Sequence, residues 1–209
     1  MEKVKEAKKT KLVIILIVLS LMFVLFYSFY INILADNLEY EKAYVPKPYD
    51  GNASAKVVLT EYSDFECPAC AYAEPIIRAL RSEYKDKIAF RYINFPLTNI
   101  HPNAFSAAEA SECANDQGKF WEYHDKLFEN NRNLNKDTYL KIAREIGLNM
   151  TSFEICINSG AKKEVVIKDI KEALEKNIRG TPSFFVNDKY IENYSYENLK
   201  KEIEEALKK

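Results

Sequence analysis

The sequence predicts an α/β domain, a sheet covered by helices that carries a helical insertion and follows one N-terminal transmembrane helix. Three observations predict it. From residue 56 onward, short β-rich runs alternate with stretches of helical periodicity, the pattern of a sheet flanked by helices. Between Phe95 and Pro182 lie roughly 85 residues of mainly helical pattern, too long for any ordinary loop. Ahead of both, residues 12–34 carry no charge and are long enough to cross a bilayer.

Composition narrows the function classes. The 209 residues are 47% hydrophobic and 29% charged with a formal net charge of −1. That suits one globular domain plus an accessory segment and lacks the basic excess of a nucleic-acid binder. Five glycines leave no phosphate-cradling loop.

Residues 1–11 hold five lysines and two glutamates and form a basic tail. The apolar run 12–34 is interrupted only by Ser20, Ser28 and Asn32, with Tyr27 and Tyr30 near its far end, where aromatic residues favour the interface. Asp36, Glu39 and Glu41 follow, so the lysine excess places the N-terminus in the cytoplasm and the rest outside, as a single-pass protein of the cell membrane. A cleaved secretory signal competes with an uncleaved anchor. The run exceeds a usual signal core and Ile33-Leu34-Ala35 is a marginal cleavage site, which favours the anchor. Residues 35–55, broken by Pro46, Pro48, Gly51 and Asn52, read as a linker.

The domain proper spans 56–209. A buried strand at 56–62 leads to Cys67-Pro68-Ala69-Cys70, and a helix follows over 69–85 with Tyr72, Ile76, Leu80 and Tyr84 at helical spacing. A second strand covers 88–95. Helices are expected at 103–116, 119–130, 136–146, 151–159 and 161–177, within an insertion of about 101–178. Strands 183–186 and 189–192 pair through Asn187-Asp188 as a tight hairpin, and a helix over 195–208 closes the chain.

A Cys-x-x-Cys where a strand hands over to a helix is a redox candidate. The helix N-terminus offers unpaired N–H groups and the positive dipole end, which lower a thiol pKa. Pro68 in the first turn costs no intrahelical hydrogen bond. Cys67 is the accessible attacker and Cys70 the resolving thiol. Zinc is disfavoured as the alternative, because Cys113, Cys156, His101 and His124 form no second ligand pair of ordered spacing. A purely structural disulfide between thiols three residues apart constrains almost no chain entropy.

These residues resemble the thioredoxin superfamily, and more closely its exported DsbA-like branch. Besides the two cysteines, Glu61 falls six residues before Cys67, where the family carries a buried acid that moves the resolving cysteine's proton. Pro75 falls where the active-site helix is kinked, and Gly180-Thr181-Pro182 matches the cis-proline loop. The long insertion, with His101-Pro102-Asn103-Ala104 and the run 118–124, also looks like that branch. His101, Trp121 and His124 are read as packing or capping residues.

The resemblance implies a thioredoxin fold and a membrane-anchored, outward-facing oxidoreductase that forms disulfides in exported proteins. Cys67, Cys70 and Glu61 would be catalytic, and Thr181, Pro182, Pro68 and Ala69 would meet substrate. It implies no metal or organic cofactor and no nucleic acid. Its partners are exported polypeptides with cysteine thiols and a membrane redox partner, a quinone-linked oxidase or else a reductase. A reductase or isomerase of the same fold, or a tethered peptide-binding module, is the competing reading. One departure stands out: Ala69 occupies the place of a histidine that favours the thiolate, and Glu66 adds a negative charge, both raising the Cys67 pKa relative to a strong oxidant. Cys113 and Cys156 lie in the insertion, where similar proteins often carry a bridge. A structural disulfide is favoured over two buried free thiols.

Overall fold

The computed structural model describes residues 14–32 and 45–209. The expected basic tail, both ends of the apolar run and residues 35–44 of the expected linker lie outside these. Ile14–Asn32 forms one helix, α1, whose apolar side chains are exposed along its length and which is long and apolar enough to cross a membrane.

Residues 45–209 build a five-stranded sheet in the order β1-β3-β2-β4-β5. The strands are β1 (Asp50–Gly51), β2 (Val58–Ser63), β3 (Ala89–Asn94), β4 (Ser183–Val186) and β5 (Lys189–Ile191). Only β2 and β3 run parallel, joined by the crossover helix α2 (Pro68–Tyr84); the other neighbours are antiparallel. Alternation along each strand divides the side chains between two faces. Leu59, Phe90, Phe184 and Val186 pack with Ile77 and Leu80 of α2 and with Leu199 and Ile203 of the last helix, α8 (Tyr196–Leu207). Tyr62, Ile93 and Phe185 point the other way, onto Ala173 and Ile178.

The insertion supplies α3 (Ala104–Asn115), α4 (Phe120–Glu129), α5 (Lys136–Glu145), α6 (Met150–Ser159) and α7 (Lys163–Glu175). Its core, built around Phe120, Tyr123, Leu127 and Phe153, reaches Phe65, Cys67 and Cys70, so the helical layer roofs one end of the sheet. Asn135, Asn149 and Ser195 cap α5, α6 and α8, each side chain accepting from a backbone N–H three residues on.

Two expectations are corrected. Residues 45–55 are not a free linker. Asp50 and Gly51 add an antiparallel strand opposite Phe90 and Ala89. The carbonyls of Val45 and Pro48 accept from Asn115 Nδ2 (2.7 Å) and Trp121 Nε1 (2.9 Å), and the Lys47 ammonium is buried between Glu112 (2.8 Å) and Asp169. Gly51 has φ +84°, and a Cβ there would stand 2.6 Å from the Ile88 carbonyl oxygen, so this strand needs glycine at that point. A two-residue strand held by side chains leaves no periodicity to read.

On α2 the buried stripe is Cys70, Ala73, Glu74, Ile77, Leu80 and Tyr84. Tyr72 is 74% exposed. The spacing 72–76–80–84 drifts off one face at 3.6 residues per turn, and only its later members reach the core.

Candidate active site

β2 ends at Ser63, and the turn to α2 is fastened by the buried Asp64. Its Oδ1 accepts from Glu66 N (2.7 Å), while Oδ2 accepts from Leu97 N (2.8 Å) and meets His101 Nδ1 (2.7 Å). Asn131 Nδ2 donates to the Phe65 carbonyl from above. This frame sets Cys67 at the N-cap of α2, in extended backbone (φ −70°, ψ 123°), with Pro68 opening the helix. No side chain caps this end, which leaves its N–H groups for the sulfur.

Both cysteines are free thiols. Cys67 is 6% exposed and Cys70 wholly buried, so the accessible member of the pair is itself nearly covered. The Thr181–Pro182 peptide bond is cis, and the Thr181 carbonyl oxygen lies 3.6 Å from Cys67 Sγ. Pro68 is exposed, while Ala69, Thr181 and Pro182 are half-buried around the same sulfur. A cavity of about 590 Å³ opens behind the cis-proline loop, lined in part by Arg179, Thr181, Pro182 and Tyr190. A second groove, of about 440 Å³, runs between Tyr72 and Ile76 of α2 and Tyr194 and Tyr196.

The two thiols titrate in opposite directions. Cys67 is pulled down to about 5. Its largest cause is a hydrogen bond with the Cys70 thiol; burial works against it, and the Thr181 side chain and the backbone N–H groups of Cys70 and Ala69 add to the lowering. The Glu66 carboxylate accepts from Asn103 N (2.6 Å) and Asn103 Nδ2 (2.8 Å), neutral donors that fix its position and leave its charge in place. Cys70 is pushed well above its ordinary value, first by burial, then by its bond to Cys67 and by Glu61.

Glu61 projects from β2 toward α2 and is 1% exposed. Burial, and then the Glu74 carboxylate, push it up to about 8. Glu74 sits one turn beyond Cys70 on the same buried stripe, and burial raises it too. Sequence reasoning passed over Glu74 and Asp64; the signal for Glu74 is an acid inside the apolar face of an amphipathic helix.

His124 is fully buried among Phe65, Tyr92, Phe120, Trp121 and Phe128, with Nδ1 2.9 Å from Asp125. Together with Glu74 it belongs to a set of donors within 4.8 Å of one another that could suit a metal ion. Arg81 already brings a positive charge there, with Nη1 3.0 Å from Asp125 and 4.0 Å from Glu74. Cys113 of α3 and Cys156 of α6 are joined in a disulfide, Cα to Cα 5.9 Å, away from the Cys-x-x-Cys turn in sequence and on other helices.

Comparisons with known proteins agree with this geometry. The family model described as Thioredoxin matches residues 44–205. The Na(+)/H(+) antiporter NhaA 1 of Salinispora arenicola is 36% identical over 158 residues, covering 75% of this chain and 24% of the antiporter, so the chain spans about a quarter of such relatives. A probable disulfide bond formation protein D of Bacillus anthracis is 31% identical over 180 residues, 80% of this chain and 81% of the relative. The crystal structure of oxidised BdbD from Bacillus subtilis superposes with a TM-score of 0.72 at 26% identity, covering 78% of this chain and 94% of that one. With a family match across nearly the whole folded domain and a shared fold with BdbD, the chain belongs to the thioredoxin superfamily, in its DsbA-like branch of thiol–disulfide oxidoreductases.

Proposed function

We propose that this chain is a membrane-anchored, outward-facing enzyme that forms disulfide bonds in exported polypeptides through Cys67-Pro68-Ala69-Cys70. The observation that carries the reading is the opposed titration of the two cysteines beside a cis-proline loop. Stabilising the Cys67 thiolate stabilises the reduced protein, which makes its disulfide form a donor. The name of the Bacillus anthracis relative supports the same direction, and the lysine-rich start ahead of an apolar helix supports the orientation.

In the donor direction a substrate thiolate attacks Cys67 Sγ of the disulfide form. The Cys67–Cys70 bond breaks, and Cys70 leaves with the electron pair and takes a proton from Glu61. A second substrate thiolate then attacks the substrate sulfur of the mixed disulfide, and Cys67 leaves as its stable thiolate. Two electrons have passed from substrate to protein, and one substrate disulfide has formed. Thr181 and Pro182, with Pro68 and Ala69, frame the surface on which an extended substrate backbone rests. A membrane redox partner, of the quinone-linked oxidase class, restores the disulfide, and a shared bilayer raises the effective concentration of the two.

The reduction potential of the Cys67–Cys70 couple, measured by alkylation after equilibration in glutathione buffers, tests this. Roughly −120 to −180 mV is expected, the range of strong oxidants and isomerases. A value of about −270 mV would overturn net disulfide donation in favour of a reductase fed by a membrane donor, the alternative that Ala69 and Glu66 keep alive.

A further inference from the structure

The cavity of about 590 Å³ behind the cis-proline loop carries charge of one sign. Lys176, at the end of α7, and Arg179, in the loop itself, both line it, and no carboxylate does. Both cations are exposed. Among the described residues Arg179 makes no ion pair and no side-chain hydrogen bond. Lys176 leans over the Phe185 ring, its Nζ 5.8 Å or less from the centroid at 5.4 Å, and Phe185 in turn meets Tyr190 edge to face at 5.3 Å. Glu172 of α7 lies within reach of the Lys176 charge. Its oxygens already accept from Arg91 Nη1 and Nη2 (2.8 Å each) and from Tyr62 Oη (2.7 Å). The two cations therefore stand over an aromatic floor with no free acid beside them.

The grooves along α2 are built differently. The one between Tyr72 and Tyr194 contains Glu192. Another, of about 600 Å³, sets Arg78 against Glu74 and Glu129. Of the three, the cavity at the cis-proline loop is the one that presents uncompensated positive charge.

Its position ties it to the reaction. Thr181 and Pro182 form part of its wall, and the Thr181 carbonyl oxygen is 3.6 Å from Cys67 Sγ. The cavity takes no residue from α2, so it lies to one side of the Cys67 turn. A client cysteine bonded to Cys67 brings its Cα within about 7 Å of the Cys67 Cα. From there an extended chain advances about 3.3 Å per residue, with alternate side chains on one face. Side chains a few places from the client cysteine pass the mouth of the cavity on one flank and leave it behind on the other.

We propose that Lys176 and Arg179 select clients by a carboxylate: an aspartate or glutamate two to four residues from the reacting cysteine, on one flank only, enters this cavity and speeds formation of the mixed disulfide. The proposal rests on the oxidoreductase reading above and names its substrate class. The covalent step is the one already described: the client thiolate attacks Cys67 Sγ, the Cys67–Cys70 bond breaks, and the electron pair leaves on the Cys70 sulfur. The two cations touch no reacting atom. They determine specificity by acting on the encounter, since charges at the rim of a binding surface govern chiefly the association rate and its salt dependence. The aromatic floor excludes part of the bulk water and strengthens the pairing over a freely solvated one.

The test follows reduction of the oxidised full chain, in detergent, by synthetic peptides of about eleven residues with one central cysteine and blocked termini. Glutamate, glutamine or lysine is placed in turn at each position up to four residues before and after the cysteine. The readout is the glutamate-to-glutamine ratio of second-order rate constants, taken in the wild type and divided by the same ratio in the Lys176→Gln, Arg179→Gln pair. The effect of a carboxylate on the peptide's own thiol cancels in that quotient. On one flank it should reach at least about threefold and fade in about 0.5 M salt. On the other it should stay near one. Arg179→Glu should turn the preference toward the lysine peptides, which a misfolded chain cannot do. Equal quotients on both flanks would mean diffuse attraction and overturn the proposal, as would a one-sided preference that survives in the paired variant. A wild-type chain that is reduced by none of the peptides would overturn the oxidoreductase reading and the selection with it. A wild type reduced by all of them alike sinks the selection alone.

Discussion

Glu61 stands directly opposite Tyr92 across the parallel pair β2–β3, and each is 1% exposed. The carboxyl oxygen Oε2 and the tyrosine hydroxyl both lack a protein partner. A buried acid of this kind costs stability once it ionises. Its folded pKa, about 8, lies above the unfolded value, so the folded state binds the proton more tightly and stability falls as pH rises from about 4 through 8. Glu61→Gln should therefore stabilise the protein at pH 7 by up to about 3 kcal/mol. The gain should vanish near pH 4 in urea unfolding curves while thiol exchange slows.

The reduced protein should show a thiolate absorbance near 240 nm that titrates with a midpoint close to 5, the value reached by Cys67. The signal should disappear in Cys67→Ser and persist in Cys70→Ala with a higher midpoint, because the largest lowering comes from the hydrogen bond with the Cys70 thiol, which alanine removes. The linkage sign is opposite to that of Glu61. A folded pKa below the unfolded value of about 8.5 contributes stability to the reduced form above that value, and it is lost as pH falls through 5.

Cys70→Ser should also trap a mixed disulfide between Cys67 and client polypeptides, recoverable by non-reducing gel electrophoresis. Cys67→Ser should trap none, since Cys70 is fully buried. Abundant adducts on Cys70 would reverse the assignment of attacker and resolver.

These expectations divide by how local their causes are. The positions of the two cysteines, Glu61 and the 181–182 loop are legible because each is fixed by the end of a strand, the start of a helix or the cis bond before β4. The helix boundaries at α3 to α8 are legible from caps and apolar spacing. What is not legible depends on groups that meet only in three dimensions. Lys47 reads as one more surface lysine until Glu112 and Asp169 arrive from α3 and α7 to pair with it. Asp64 reads as a loop polar residue until Leu97 and His101 close on it.

Lys47 supplies a direct check on that difference. Lys47→Met keeps most of the side-chain volume but leaves Glu112, 1% exposed, and Asp169 without their ammonium. Removing one partner from a buried ion cluster costs about 3–5 kcal/mol. The chemical-denaturation midpoint should fall accordingly, and the segment 45–51 should become protease-sensitive first. An unchanged midpoint would mean that the ion cluster contributes little to holding this segment on the domain.

Cys113→Ala with Cys156→Ala removes a bridge across a sequence separation of 43. The chain-entropy estimate for such a loop is about 4 kcal/mol. The double variant should unfold at lower urea, and the potential of the Cys67–Cys70 couple should move little. A large shift in that potential would instead tie the second pair to electron flow.

The two margins of the sheet carry a consequence for the clients themselves. β1 offers two residues and β5 three, with Lys189 and Tyr190 exposed on the latter. Beyond Gly51 the open side of β3 is taken over by α7, where Asp169 accepts from the Asn94 N–H at 3.0 Å. An unfolded chain arriving with free backbone groups therefore finds no long ladder to extend. Under the proposed function, a client would then be held by its thiol and by the surface that Thr181, Pro182, Pro68 and Ala69 frame, and not as an added strand on which further chains could stack.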